Sequence, residues 1–192
     1  DGIYWTAELE LEVPQEGMTI NYSYQIEQNG IVIRKEWDSF SRSIFLSGSS
    51  RKIYRINDCW KNIPEQLYLY SSAFTEALLA HPEKENIPQR YKKGLVIKAY
   101  APCINKDYCL AICGNQKSLG HWDPEKAVLM SDTNFPEWQI ELDASKLKYP
   151  LEYKFILYNK QEKKADCWEK NPNRYLADPE LKTNETLVIS DR

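Results

Sequence analysis

Two tryptophans of this chain stand in polar, turn-forming surroundings, whereas a tryptophan of a core strand has apolar neighbours. Trp122 follows Gly-His and precedes Asp-Pro, and Trp168 precedes Glu-Lys-Asn-Pro-Asn. Turns favour Gly, Pro, Asn and Asp, so we expect both rings at the surface. An exposed indole is a flat apolar plate that fits the C–H face of a pyranose ring. The two residues therefore predict a carbohydrate-binding surface.

Two polar side chains near these tryptophans could supply hydrogen bonds to a sugar. Lys154 alternates with Tyr153 and Phe155, which places it on the strand face that points away from the core. Asn173 lies in the turn that follows Trp168. An ammonium group and a carboxamide both donate to hydroxyl oxygens. The alternatives are a half-buried structural role for each tryptophan and a solvated outer-face lysine.

Around these residues the sequence resembles the starch-binding domains of carbohydrate-binding module family 20, found at the carboxyl terminus of fungal glucoamylase. The resemblance covers residues 95–192 and rests on Gly-His-Trp-Asp, Glu-Tyr-Lys-Phe-Ile and Trp-Glu-Lys-Asn-Pro-Asn-Arg. The family's first sugar site implies binding roles for Trp122, Lys154, Trp168 and Asn173. The implied partner is starch, maltodextrin or a cyclodextrin-like α-1,4-glucan, bound without catalysis or a cofactor.

A second sugar site of that family uses the tryptophan that opens the middle strand, which corresponds to Trp138. Its two tyrosines have no clean match, because Lys106 or Tyr108 and a shortened loop around Asp132 occupy their region. Trp138 also shares its strand face with apolar residues, so a core role and a sugar contact remain alternatives.

Residues 1–60 repeat, more weakly, landmarks that recur about 132 residues later. The matched pairs are Trp5 with Trp138, Trp37 with Trp168, and Arg42 with Arg174. Ser23 stands where the later copy has Lys154, so Trp37 alone is expected to remain of the first sugar site. Two such modules in tandem resemble the amino-terminal region of a family 77 4-α-glucanotransferase. This resemblance implies an attached enzyme that transfers α-1,4-glucan segments.

Hydrophobic periodicity predicts an all-β chain built from antiparallel, immunoglobulin-like β-sandwich modules, one complete and one partial. Apolar residues from Ala7 to Val13 alternate with Glu, and Tyr22, Tyr24 and Ile26 alternate with polar residues. Residues 71–80 predict a short helix behind cap-like Ser and Thr. We expect the C-terminal part of a first module at 1–60, a linker with a short helix at 61–94 and the complete second module at 95–192.

Composition argues against several other classes of function. The net charge of −3 is spread over interspersed acidic and basic residues, which disfavours nucleic acid as a partner. No apolar run is long enough to cross a membrane. Five cysteines form an odd set without a repeated spacing, which favours reduced thiols and a cytoplasmic protein. The set Cys103, Cys109, Cys113 and His121 fits no zinc pattern, so we expect no metal site.

An enzymatic role for this chain would require a motif that the sequence does not supply. We find no Gly-x-Ser-x-Gly elbow, no His-Glu-x-x-His helix and no evident pair of opposed carboxylates. The expected catalytic residues are therefore none. A protein-interaction sandwich without sugar binding is the alternative, although the chain lacks the Cys-Trp-Cys signature of immunoglobulin cores.

Overall fold

The computed structural model of the chain describes residues 5–36, 42–48, 51–58, 60 and 90–191. The chain divides into two compact units, the first of residues 1–50 with 60–65 and the second of residues 51–59 with 66–192. The described residues form strands and three short 3₁₀ helices, which confirms the all-β prediction. The helix expected at 71–80, and the linker as far as residue 89, lie outside the described residues.

The strands are numbered in chain order. They are β1 Met18–Tyr22, β2 Gln25–Gln28, β3 Ile31–Lys35, β4 Arg42–Leu46, β5 Arg51–Asn57, β6 Lys93–Tyr100, β7 Tyr108–Gly114, β8 Val128–Leu129, β9 Ser131–Asn134, β10 Glu137–Asp143, β11 Leu151–Asn159, β12 Lys164–Trp168, β13 Arg174–Leu176 and β14 Glu185–Asp191. The 3₁₀ helices span Lys117–Trp122, Pro124–Lys126 and Ala144–Lys146.

The second unit is a sandwich of two five-stranded sheets. One sheet has the order β5-β14-β6-β10-β9, and the other has the order β12-β11-β7-β8 with β13 also paired to β11. Most neighbours are antiparallel, as the sequence predicted, but β14 runs parallel to both β5 and β6. All seven residues of β14 are buried, which is typical of a strand flanked on both sides and covered on both faces.

The core between the sheets follows from period-two alternation. On β11, Tyr153 and Phe155 are buried in the main cluster with Leu95, Ile97 and Leu187, as the sequence predicted. The opposite face of the β11 sheet carries a smaller apolar cluster of Ala111, Cys113 and Ile156. Both faces of this sheet are therefore covered in part, and the outer face of β11 is the one on which Lys154 lies.

The first unit consists of two small antiparallel pairs, β1 with β4 and β2 with β3. The strand expected from Ala7 to Val13 is not found, and Leu9 is 81% exposed. Alternation yields a strand only where a neighbouring strand takes the backbone hydrogen bonds, and no described strand pairs with these residues. The strand expected through Tyr22, Tyr24 and Ile26 is divided into β1 and β2.

A buried hydroxyl in β14 provides a test of this packing. Thr186 is 1% exposed, and its Oγ1 has no hydrogen-bond partner within the described structure. Because an unpaired buried hydroxyl costs free energy, we expect Thr186→Val to raise the free energy of unfolding by about 1 kcal/mol in urea denaturation.

The matched control is Thr133→Val on β9. Thr133 is exposed and its Oγ1 lies 2.8 Å from Ser131 Oγ. This change should leave stability within about 0.5 kcal/mol of the original. Destabilisation by Thr186→Val would show that the hydroxyl has a partner in solution.

Candidate functional site

Trp122 is presented by a strained turn. Gly120, His121 and Trp122 all have positive φ, at 78°, 55° and 63°. Residues other than glycine adopt this left-handed conformation at a cost of roughly 1 kcal/mol each, so surrounding contacts must hold it. A Cβ at Gly120 would lie 2.7 Å from the Lys126 carbonyl oxygen, which explains glycine at that position. The turn thus fixes the direction of the Trp122 side chain through the backbone.

Polar contacts on both sides of Trp122 hold this turn. His121 Nδ1 donates to the Asn115 carbonyl oxygen over 3.0 Å. The Cys113 thiol lies 3.5 Å from the Asp123 carbonyl oxygen, and burial raises the pKa of this thiol. The Asp123 carboxylate accepts from Glu125 N over 3.1 Å and pairs with Lys126, whose hydrogen bond lowers the pKa of Asp123. The turn is therefore tied to β7 and to the following 3₁₀ helix.

Trp168 lies at the end of β12, directly opposite Ile156 on β11. Its side chain is therefore on the outer face of the sheet, and the residue is 37% exposed. The ring centroids of Trp122 and Trp168 are 6.4 Å apart, and the ring planes are inclined by 40°. Two residues that are distant in sequence thus form one tilted pair of indoles.

Lys154 and Asn173 lie beside this pair and are held by named partners. Lys154 Nζ donates to the Glu169 carbonyl oxygen over 3.2 Å. Asn173 Nδ2 donates to Glu152 Oε2 over 3.1 Å. An ammonium group has three donors and a carboxamide two, so each group retains donors for a ligand. The four residues implied by the resemblance are thus placed on or beside the outer face of β11.

Glu169 connects these side chains, although the sequence analysis did not single it out. Its backbone N donates to the Phe155 carbonyl oxygen over 3.0 Å, and its Oε2 accepts from Phe155 N over 3.2 Å. Both carboxylate oxygens also accept from Arg174, over 3.1 Å from Nε and 2.6 Å from Nη2. Such a bidentate pair fixes geometry as well as charge. Glu169 therefore fastens the segment between Trp168 and Asn173 to β11.

Arg174 connects Glu169 to Phe155 and Asp191. Its guanidinium lies 4.7 Å from the Phe155 ring centroid, and its Nη1 lies 2.8 Å from Asp191 Oδ2. Burial lowers the pKa of Arg174, but the hydrogen bond to Glu169 and the charges of Asp191 and Glu169 outweigh it, so the pKa is raised. Burial raises the pKa of Asp191, while Asn57 and Arg174 partly oppose this shift. We call Glu169, Arg174 and Phe155 the clamp.

The same contacts recur in the first unit. Arg42 Nε and Nη2 donate to Glu36 over 3.0 and 2.6 Å, and Tyr24 N donates to Glu36 Oε2 over 3.2 Å. Glu36 N donates to the Tyr24 carbonyl oxygen over 3.0 Å, and the Arg42 guanidinium lies 5.3 Å from the Tyr24 ring centroid. Glu36, Arg42 and Tyr24 thus reproduce the clamp of Glu169, Arg174 and Phe155.

Strand register extends this similarity. Tyr22 pairs with Arg42 as Tyr153 pairs with Arg174. The β2–β3 hairpin shifts register after Ile26, and the β11–β12 hairpin shifts register after Leu157, which lies 131 residues later (157 minus 26). These similarities involve the twenty-four described residues of the first unit at 18–36 and 42–46.

The register also revises one correspondence drawn from the sequence. Gln25 pairs with Lys35 as Ile156 pairs with Trp168, so Lys35 occupies the place of Trp168 in the first unit. The sequence landmarks predict Trp37 at that place, and Trp37 lies outside the described residues. Trp5 is 86% exposed in a segment without strand structure.

Trp138 does not provide the expected second sugar surface. The residue is 2% exposed, its indole Nε1 donates to the Ala101 carbonyl oxygen over 3.1 Å, and its ring packs edge-on against Phe135. The alternation of β10 placed Trp138 on the same strand face as apolar residues, and its burial shows that it belongs to the core. Neither ring face is open to a ligand.

Other kinds of site find little support in the described part of the chain. There, no group of three or more His, Cys, Asp or Glu side chains is arranged to hold a metal ion. Cys103, Cys109, Cys113 and Cys167 are free thiols. None of the helices within the described ranges has the length and apolar character needed to cross a membrane.

Comparison with known proteins finds that residues 99–188 match a family model described as the starch binding domain, CBM_20. A search of curated proteins finds no match. Among solved structures, the family 20 CBM of a maltotetraose-forming amylase from Pseudomonas saccharophila STB07 shares 17% identity, with a TM-score of 0.41 over 50% of this chain and 98% of that chain.

Two larger enzymes are also similar in part. The glycoside hydrolase family 15 glucoamylase from Hypocrea jecorina shares 21% identity, with a TM-score of 0.42 over 51% of this chain and 16% of that enzyme. The γ-CGTase from alkalophilic Bacillus clarkii shares 20% identity, with a TM-score of 0.37 over 52% of this chain and 15% of that enzyme. The chain thus spans a small part of the length of both enzymes.

Removing the charge of Glu169 tests the clamp. In Glu169→Gln the side chain keeps its size but loses the charged bidentate pair with Arg174, which is partly buried. We expect the free energy of unfolding to fall by about 2 kcal/mol in urea denaturation.

The matched control is Glu162→Gln, which removes the pair with Lys164, 2.8 Å apart and more than half exposed on both sides. A surface pair of this kind contributes about 0–1 kcal/mol. Equal effects of the two substitutions would mean that the Glu169 carboxylate does not hold the segment.

Proposed function

We propose that residues 90–191 bind α-1,4-glucan, as starch, maltodextrin or cyclodextrin, by stacking sugar rings on Trp122 and Trp168. The observation that carries this proposal is the tilted indole pair, with centroids 6.4 Å apart at 40°, inside the segment that matches starch-binding domains. An α-1,4-glucan curves along its length, so successive sugar rings are inclined to one another. Two inclined indole rings can therefore stack on successive sugar rings of such a chain better than two coplanar indole rings can.

The polar residues beside the pair complete this proposed site. Lys154 Nζ and Asn173 Nδ2 each use one donor on the protein and keep others for sugar hydroxyls. Because both groups are already held in place, little side-chain entropy is lost when a ligand binds. Two stacking contacts and a few hydrogen bonds should give a Kd in the micromolar to millimolar range, about −8 to −4 kcal/mol.

Binding without catalysis is favoured by the state of the carboxylates near the indoles. Glycoside cleavage needs two carboxyl groups that face each other across a cleft, one of them able to transfer a proton. Glu169 has both oxygens engaged by Arg174 and by Phe155 N, and Glu152 accepts from Asn173. Neither carboxylate is arranged as an acid and base pair, so we assign the site to attachment.

We further propose that residues 1–60 are the C-terminal part of a first module of the same type and that the parent protein is a cytoplasmic 4-α-glucanotransferase. The repeated clamp and hairpin register support the duplication. The module would then hold the transferase on its polymeric substrate. The gene sequence beyond Arg192 tests the parent: a long alternating strand and helix pattern is expected there, and its absence would remove this part of the proposal.

The direct test of glucan binding is Trp168→Ala, which removes one plate of the pair without touching the clamp. We expect the affinity for maltoheptaose to fall at least thirtyfold in titration calorimetry, about 2 kcal/mol. The circular dichroism spectrum should be unchanged, because the side chain is on the outer face.

Trp5→Ala serves as the control, since Trp5 is exposed and outside the described strands. Its affinity for maltoheptaose should equal that of the original chain. A protein-interaction sandwich would instead show no heat with maltoheptaose in any of the three proteins.

The first unit is expected not to bind glucan through the equivalent face. Lys35 stands in the place of Trp168 and Ser23 in that of Lys154, so the position of Trp168 has no aromatic ring and the position of Lys154 has no ammonium donor. Titration with β-cyclodextrin should therefore give one site per chain. Two sites, with one lost in Trp37→Ala, would contradict this assignment.

A further inference from the structure

An exposed tyrosine, Tyr175, lies on the same face of the sheet as the indole pair. Tyr175 is 65% exposed and sits in the middle of β13. Its neighbours Arg174 and Leu176 point the other way, since Arg174 contacts Phe155 and Leu176 belongs to the main core. By strand alternation the Tyr175 ring is on the outer face of the sheet.

The outward residues of β11 connect Tyr175 to the tryptophans. Ile156, Lys154 and Glu152 follow one another on this face, and Trp168 is opposite Ile156 while Tyr175 is opposite Glu152. The two aromatic positions are therefore separated by four residues of β11, roughly 13 Å at the usual strand rise. That distance exceeds one pyranose ring, so a sugar stacked at Tyr175 would be a different one from those on the indoles.

Polar groups line the interval between them. Glu152 Oε2 accepts from Asn173, and no hydrogen bond of Glu152 Oε1 is found within the described part of the chain. On the other side of β11, Asn115 N donates to the Glu152 carbonyl oxygen, and Asn115 in turn holds His121. The outer face of β11 thus presents a continuous line of side chains, from Trp168 past Lys154 to Glu152 and Tyr175.

We propose that Tyr175 and Glu152 form an additional subsite for α-1,4-glucan, which takes a glucosyl unit beyond those on Trp122 and Trp168. This inference rests on the proposed function. The Tyr175 ring supplies a third stacking plate, and Glu152 Oε1 accepts from a sugar hydroxyl. A short oligosaccharide fills the indole pair alone, whereas a long one reaches Tyr175. The surface therefore distinguishes glucans by chain length.

The test is the affinity for maltotriose and for maltoheptaose, measured by titration calorimetry with Tyr175→Ala, Tyr175→Phe and Tyr100→Ala. In Tyr175→Ala we expect the affinity for maltoheptaose to fall fivefold to tenfold and that for maltotriose to stay unchanged, since one stacking plate is lost. Tyr175→Phe should keep most of the affinity for maltoheptaose. Tyr100 is 44% exposed on β6 in the other sheet, so Tyr100→Ala is the matched control and should change neither affinity.

The outcomes separate the subsite from the proposed function. If the unsubstituted chain binds neither oligosaccharide, the proposed function itself fails. If it binds both and Tyr175→Ala leaves both affinities unchanged, the subsite is refuted while the indole site stands. An equal loss for both lengths also overturns the inference, because Tyr175 would then support Asn173 and not a separate sugar.

Discussion

The Glu169 carboxylate is the interaction on which the rest of the site depends. This carboxylate accepts a hydrogen bond from Phe155 N on β11 and another from the guanidinium of Arg174, which extends to the core face of the same sheet. The segment between Trp168 and Asn173 has no strand pairing of its own, so this carboxylate and its backbone amide determine where the segment lies. A partly buried, bidentate pair is directional enough to do so, whereas an apolar contact would allow the segment to slide.

The first unit separates this scaffold from the chemistry it carries. Glu36, Arg42 and Tyr24 keep the clamp, with nearly the same distances, while the outer face has Lys35 and Ser23 where the second unit has Trp168 and Lys154. The clamp contacts are therefore present both with Trp168 and Lys154 on the outer face and without them. Residues 99–188, which match the starch binding domain, contain both the clamp and the aromatic and cationic groups of the outer face.

Sequence periodicity predicted β11 correctly, because Tyr153 and Phe155 face the core between the two sheets. The same periodicity predicted a strand from Ala7 to Val13 that is not found, because no described strand pairs with these residues. The resemblance located Trp122 and Trp168, yet only the backbone angles reveal how Trp122 is presented. The alternation of its strand allowed either a core role or a sugar contact for Trp138, and its burial shows that it is a core residue. Glu169 was missed because hydrogen-bond networks leave no sequence period. The position of Trp168 in the first unit was misplaced because the turn between Asn159 and Lys164 is two residues longer than the turn between Gln28 and Ile31.

Glucan binding is proposed here for the inclined pair of Trp122 and Trp168, which the clamp holds in place. The most direct measurement is the set of indole N–H signals in a ¹H–¹⁵N NMR titration with β-cyclodextrin, assigned by single substitutions. We expect the signals of Trp122 and Trp168 to shift together with one saturation curve, while that of Trp138, hydrogen-bonded to Ala101 in the core, stays in place. Shifts confined to other tryptophans, or no shift at saturating ligand, would contradict it.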